Sequence, residues 1–247
     1  MSTPDEILPL YRDSISTACE TFLDRVEELR EDGLLEDTLV IFTSDHGELL
    51  GESQYGGVYG HEFPIVPELV HVPLVFIGAG IEPKKLDGTY SLIDIVPTVL
   101  SAQDRSRPPE TAGLDLWSSP PPTDRQVRSE VWSTKNVRST KIEKYRATSL
   151  WDSDSGTVLQ YGSNIIRSLI ASYLLYYRRP SASITRSSLS FDQLRGLSST
   201  FASSQIHYND PEFDVSNVDV MPADFEENSS DRDENTSIPK EQLENLG

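Results

Sequence analysis

The sequence predicts an α/β fold, with a mostly parallel sheet flanked by helices, and three observations predict it. Apolar residues recur at helical spacing near the start, two short runs after them are apolar on both faces, and a second helical pattern follows. Helix, buried strand, loop, buried strand, helix is the order that builds a layered α/β domain.

Taken in order, Ile15, Cys19, Phe22, Val26 and Leu29 share one helix face, and Gly33 supplies the stop. Residues 38–44, TLVIFTS, read as a strand apolar on both faces, which places it centrally in a parallel sheet between helices. A loop rich in Gly and Pro, residues 51–67, leads to VPLVFIG at 72–78, a second strand of the same kind. SLIDIVPTVLSA at 91–102 reads as a helix: Asp94 can cap it, and Pro97 falls in the first turn, where a missing N–H costs little. Beyond Ser101 the prolines of SRPPE and SSPPPTD separate shorter elements. QVRSEVWS and EKYRATSLWD read as strands, and YGSNIIRSLIASYLLYYRR reads as a helix. The expected organisation is an α/β portion over 1–117, a smaller C-terminal α+β portion over 118–209, and an acidic tail over 210–247. Twelve acids and two bases in the last 38 residues leave a net −10, so a loosely packed tail is expected.

The charge balance excludes some partners. Forty acidic residues against 21 basic ones give a net −19, which repels nucleic acid and anionic membrane surfaces. Fifteen of the basic residues are Arg and six are Lys. An acid-rich, Lys-poor surface suits a halophilic source, where concentrated salt screens the repulsion. A single cysteine, Cys19, rules out a disulfide within the chain. The N-terminus lacks the basic-then-apolar pattern of a signal peptide, and LIASYLLYY, 169–177, is too short to span a bilayer. A soluble, cytoplasmic protein is expected.

The chemistry concentrates at SDHGE, residues 44–48. In open α/β sheets the carboxyl ends of strands face the ligand crevice, and Asp45 and His46 stand at such an end. Adjacent side chains on extended backbone point apart, but a sharp turn at Gly47 can bring both toward one ion. A carboxylate oxygen and an imidazole nitrogen are a plausible pair of metal ligands. His61, on the Gly-rich loop, can reach the same cleft. The plain readings are that the Asp-His-Gly stretch is only a turn and that His61 is solvated. His71 reads as a strand-edge residue, His207 as surface and Cys19 as core packing. Glu48 and Glu52 read as groups supporting the site or as solvated charge.

Three stretches, GLLEDTLVIFTSDHGE, GHEFP…PELVHVPLVFIGAG and SLIDIVPTVL, come in an order that resembles the sulfatase branch of the alkaline phosphatase superfamily. The resemblance covers residues 11–101 and implies an alkaline-phosphatase-like sheet. It implies that Asp45 and His46 bind a divalent cation, and that His61 contacts the anion of a sulfate ester as a catalytic residue. Family members that hold calcium usually offer oxygen ligands, so a histidine at the second position leaves manganese or zinc open beside calcium. The Asp-His form also resembles phosphonate monoester hydrolases and phosphoethanolamine transferases, so a phosphoryl-ester reaction is an alternative. The family's nucleophile stretch, Cys- or Ser-x-Pro-x-Arg, has no match: Cys19 is followed by ETFLD, and Ser2 and Pro4 by Glu6. The chain is therefore expected to be a truncated, C-terminal half that is inactive alone. Either another chain supplies the N-terminal half, or the protein is a non-catalytic anion-binding remnant.

Overall fold

The computed structural model describes residues 4–61, 64–137, 140–162, 164–173, 176–177, 190–215 and 218. The chain divides into two compact units, residues 1–212 and 213–247. The elements that follow belong to the first, and the expected acidic tail lies almost wholly outside the described residues.

Helix α1, Pro4–Glu31, carries the anticipated stripe but starts earlier and runs through Pro9. Along that stripe Val26 is buried, Cys19, Phe22 and Leu29 are half-buried, and Ile15 is exposed. The Phe22 ring lies 4.7 Å from that of Phe42, which docks the helix on the first strand. Gly33 ends the helix at φ 69°, and the Leu34 N–H returns to the Leu29 carbonyl at 2.9 Å.

Strand β1, Leu39–Thr43, is followed by two short strands, β2, Leu49–Leu50, and β3, Tyr59–Gly60. The one-turn helix α2, Pro67–Val70, and strand β4, Leu74–Gly78, come next. β1 pairs with β4 in antiparallel fashion, Thr43 facing Leu74 and Leu39 facing Gly78. Every pairing among the described residues is antiparallel, so the mixture of helices and strands stands while the parallel direction is corrected. Residues 44–73 leave and re-enter at the same end of the pair, so β4 must run back along β1. Apolar residues on both faces report how a strand is covered, not which way its neighbour runs.

Residues 79–90 lead to a 3₁₀ turn, Leu92–Asp94, and helix α3, Ile95–Ala102. Ser91 and Asp94 close a capping box at this start, and Pro97 sits buried in the first turn. Asp94 also acts beyond its own helix. Its fully buried carboxylate accepts from the Ser91 and Leu114 N–H groups at 2.8 Å, and from both Arg125 guanidinium nitrogens at 2.7 Å.

Strands β5, Val127–Val137, β6, Thr140–Trp151, and β7, Gly156–Gln160, form an antiparallel sheet with β8, Gln205–Tyr208, in that order. Helices α4, Asn164–Tyr173, and α5, Phe191–Ala202, intervene between β7 and β8. β7, α5 and β8 show too little apolar periodicity to be read from the sequence. The one usable signal is Ser190-x-x-Gln193, whose reciprocal bonds at 3.2 and 2.9 Å cap α5. Buried Arg167 donates to the Phe201 and Ser203 carbonyls at 2.8 Å each, closing the other end of α5. Leu49, Val58 and Val66 are fully buried in one cluster with Ala147, Val158 and Phe201. The underside of the loop that follows β1 is thus packed on the C-terminal sheet and α5.

Candidate functional site

The site begins where β1 stops. The Ser44 hydroxyl donates to the His46 carbonyl at 2.7 Å, and the His46 N–H donates to Asp45 Oδ1 at 2.9 Å. These local bonds curl the chain immediately, a habit of Ser and Asp near backbone donors. The curl sets Asp45 Oδ2 and His46 Nε2 3.6 Å apart. His46 Nδ1–H donates to the Gly47 carbonyl at 2.8 Å, which leaves the lone pair of Nε2 available. The Asp45 side chain is 85% exposed, so its carboxylate is free to take a ligand.

Gly47 plays a different part from the expected sharp turn, since it is not among the residues of positive φ. A Cβ there would stand 1.9 Å from the Glu68 carbonyl oxygen, and the Gly47 N–H donates to the Leu69 carbonyl at 2.9 Å. Glycine is needed because α2 lies directly on this backbone. Glu68 of α2 in turn accepts from the Tyr55 hydroxyl at 2.6 Å, tying the 53–55 turn to the same helix. Burial first, and then this bond to Glu68, raise the Tyr55 pKa above its ordinary value.

A strand ladder brings in the remaining groups. β2 and β3 pair Leu50 with Tyr59 and Leu49 with Gly60, so one step further along the register Glu48 meets His61. Glu48 Oε2 lies 2.9 Å from His61 Nδ1. The His61 ring stacks on His46 with centroids 4.2 Å apart. His46, Glu48 and His61 each present a ligand atom within 4.8 Å of one another. An imidazole among carboxylates makes a nitrogen–oxygen donor set that fits manganese, zinc or iron better than calcium.

Asp45 and His46 also line a cleft of about 510 Å³, together with His71, Tyr90, Trp151 and Asp152. The C-terminal sheet therefore builds part of its wall. His71 packs edge-on against Trp151 at 5.1 Å. The loss of water there lowers the His71 pKa, and the Glu68 charge opposes the shift. His207 is exposed on β8 beside the Thr157 hydroxyl at 3.0 Å, in keeping with a surface residue. Cys19 is half-buried with a free thiol, and Glu52 accepts from the Leu50 N–H at 2.9 Å. Among the described residues no helix is long and apolar enough to cross a membrane.

The sulfatase family model matches residues 14–104. A protein from Haloferax volcanii named low-salt glycan biosynthesis sulfotransferase Agl7 is 40% identical over 187 residues, 74% of this chain and 46% of that protein. Arylsulfatase K of Bos taurus is 37% identical over 92 residues, 37% of this chain and 16% of that protein. A solved structure of a protein in complex with its substrate D-glucosamine-2-N,6-O-disulfate gives a TM-score of 0.41 at 22% identity, over 58% of this chain and 29% of that one. The chain thus spans less than half the length of each of these proteins. With the motifs in order and the family model over the same residues, the chain carries a sulfatase-family domain at residues 14–104.

Proposed function

We propose that this chain contributes the cation-binding half of a sulfate-ester site. The observation that carries the reading is the convergence of Asp45 Oδ2 and His46 Nε2, 3.6 Å apart at the end of β1. In this reading Asp45 and His46 are ligands of a divalent ion, manganese or zinc in preference to calcium. When bound, the ion neutralises charge on a sulfate oxygen and polarises the ester. Glu48 accepts from Nδ1–H of His61 and holds the ring, and in its imidazolium form His61 also donates from Nε2 to the sulfate. No Cys- or Ser-x-Pro-x-Arg stretch occurs in the 247 residues, so the nucleophile is assigned to residues outside them.

Calorimetric titration with manganese tests the site. Binding is expected for the wild type, with loss of about tenfold or more in affinity for Asp45→Ala and for His46→Ala. His61→Ala is expected to keep the metal affinity. Unchanged binding in both ligand variants removes the cation reading. Aryl sulfate turnover by these 247 residues alone, abolished in Asp45→Ala, would show that the assignment of the nucleophile elsewhere is wrong.

A second reading is favoured by the relative named as a sulfotransferase, which is 40% identical. The same cation and histidine would then serve transfer of a sulfuryl group to a sugar hydroxyl instead of to water. Once the nucleophile is supplied, sulfated sugar formed at the expense of free sulfate identifies transfer, and free sulfate alone identifies hydrolysis.

A further inference from the structure

Beside the cleft at Asp45 and His46 lies a second one of about 610 Å³, and the two share Leu74 and Tyr90 as wall residues. Val75, Ile77 and Leu86 line it with Lys84 and Lys85, and Glu82 is its one carboxylate, so its charged groups sum to +1. Lys84 and Lys85 are two of only six lysines in a chain of net charge −19. The first cleft has no Lys or Arg among its lining residues. Both lysines are exposed, and neither has an ion-pair partner among the described residues. Adjacent cations placed in an overwhelmingly acidic surface repel one another, and an anion between them relieves that repulsion. The half-buried Tyr90 ring, common to both clefts, offers an apolar surface on which a sugar ring can lie.

We propose that Lys84 and Lys85 bind a second anionic group of the ester whose sulfate is held at Asp45 and His46. The substrate class is then a multiply charged glycan ester, bearing a further sulfate or a carboxylate beyond the reacting group. This rests on the cation reading above and adds a specificity element to it.

The test is calorimetric titration of the manganese-loaded full chain with a monosulfated and a disulfated disaccharide of the same sugar backbone. The wild type is expected to prefer the disulfated sugar by about tenfold, the scale of a charge-assisted contact. Replacing both lysines by Lys84→Gln and Lys85→Gln should abolish the preference and leave manganese affinity unchanged. The double arginine variant, Lys84→Arg with Lys85→Arg, should retain it. Both positions are exposed, and circular dichroism checks that the variants fold. Equal affinities in the wild type, no binding of either sugar, or a preference that survives the glutamine pair overturns the proposal. Asp45→Ala separates the two readings. If it weakens both sugars equally, the ratio is kept and both readings hold. If it changes neither, the cation reading fails while the lysine preference stands.

Discussion

At Gly47 an added methyl group would meet the Glu68 carbonyl at 1.9 Å, and no side-chain rearrangement can relieve a clash with backbone. The neighbouring His46 is held through its own bond to the Gly47 carbonyl, so displacing α2 also displaces the imidazole. Gly47→Ala is therefore expected to cost about 1–3 kcal/mol of stability, as overpacking does. It should also weaken manganese binding by about tenfold, the effect of a disturbed supporting contact. Thermal melts and calorimetry read the two effects, and a variant normal in both would remove α2 from any role in placing His46. Asp45 and His46 were legible in the sequence because their turn is made by bonds between residues 44 and 47. Glu48 was read as a supporting group or solvated charge, but its partner was not legible, because His61 is 13 residues away and is chosen by the β2–β3 register.

Helix α3 shows how one capping residue can take on a wider role. Burial by itself would raise the Asp94 pKa, but the Arg125 guanidinium and the Leu114 and Ser91 N–H groups outweigh it and hold the carboxyl below its ordinary value. A carboxyl with a depressed folded-state pKa adds stability above its unfolded pKa, and that stability is lost as pH falls through the folded value. The loss therefore belongs below about pH 4. Asp94→Asn is expected to destabilise the fold by about 3–5 kcal/mol at neutral pH, because it leaves Arg125 half-buried without its counter-charge. It should also flatten the fall in stability below about pH 4. Urea unfolding at several pH values measures both, and an unaltered acid slope would assign the acid sensitivity to other carboxylates. The sequence showed the helix and its cap. It could not show Arg125, which reaches Asp94 from 31 residues away.

For the molecule as a whole, 40 acidic residues against 21 basic ones make self-repulsion the dominant long-range term. Raising salt from 0.1 M to 1 M shortens the screening length from about 10 Å to about 3 Å. The melting temperature should therefore rise with salt, by about 2–4 °C for each kcal/mol of repulsion screened. Melts in potassium chloride test this, and a flat or falling curve would count against adaptation to concentrated salt.

By itself the sequence determined the helix-and-strand alternation, the charge, and the local Asp45–His46 turn, because each depends on residues within one element or one turn of it. Only the tertiary structure decided that β4 runs back along β1, that His61 stacks on His46, and that Lys84 and Lys85 border the cleft beside Tyr90. Those outcomes depend on strand register and chain reversal. They are set by which apolar faces bury one another across long separations, and no local pattern records that choice.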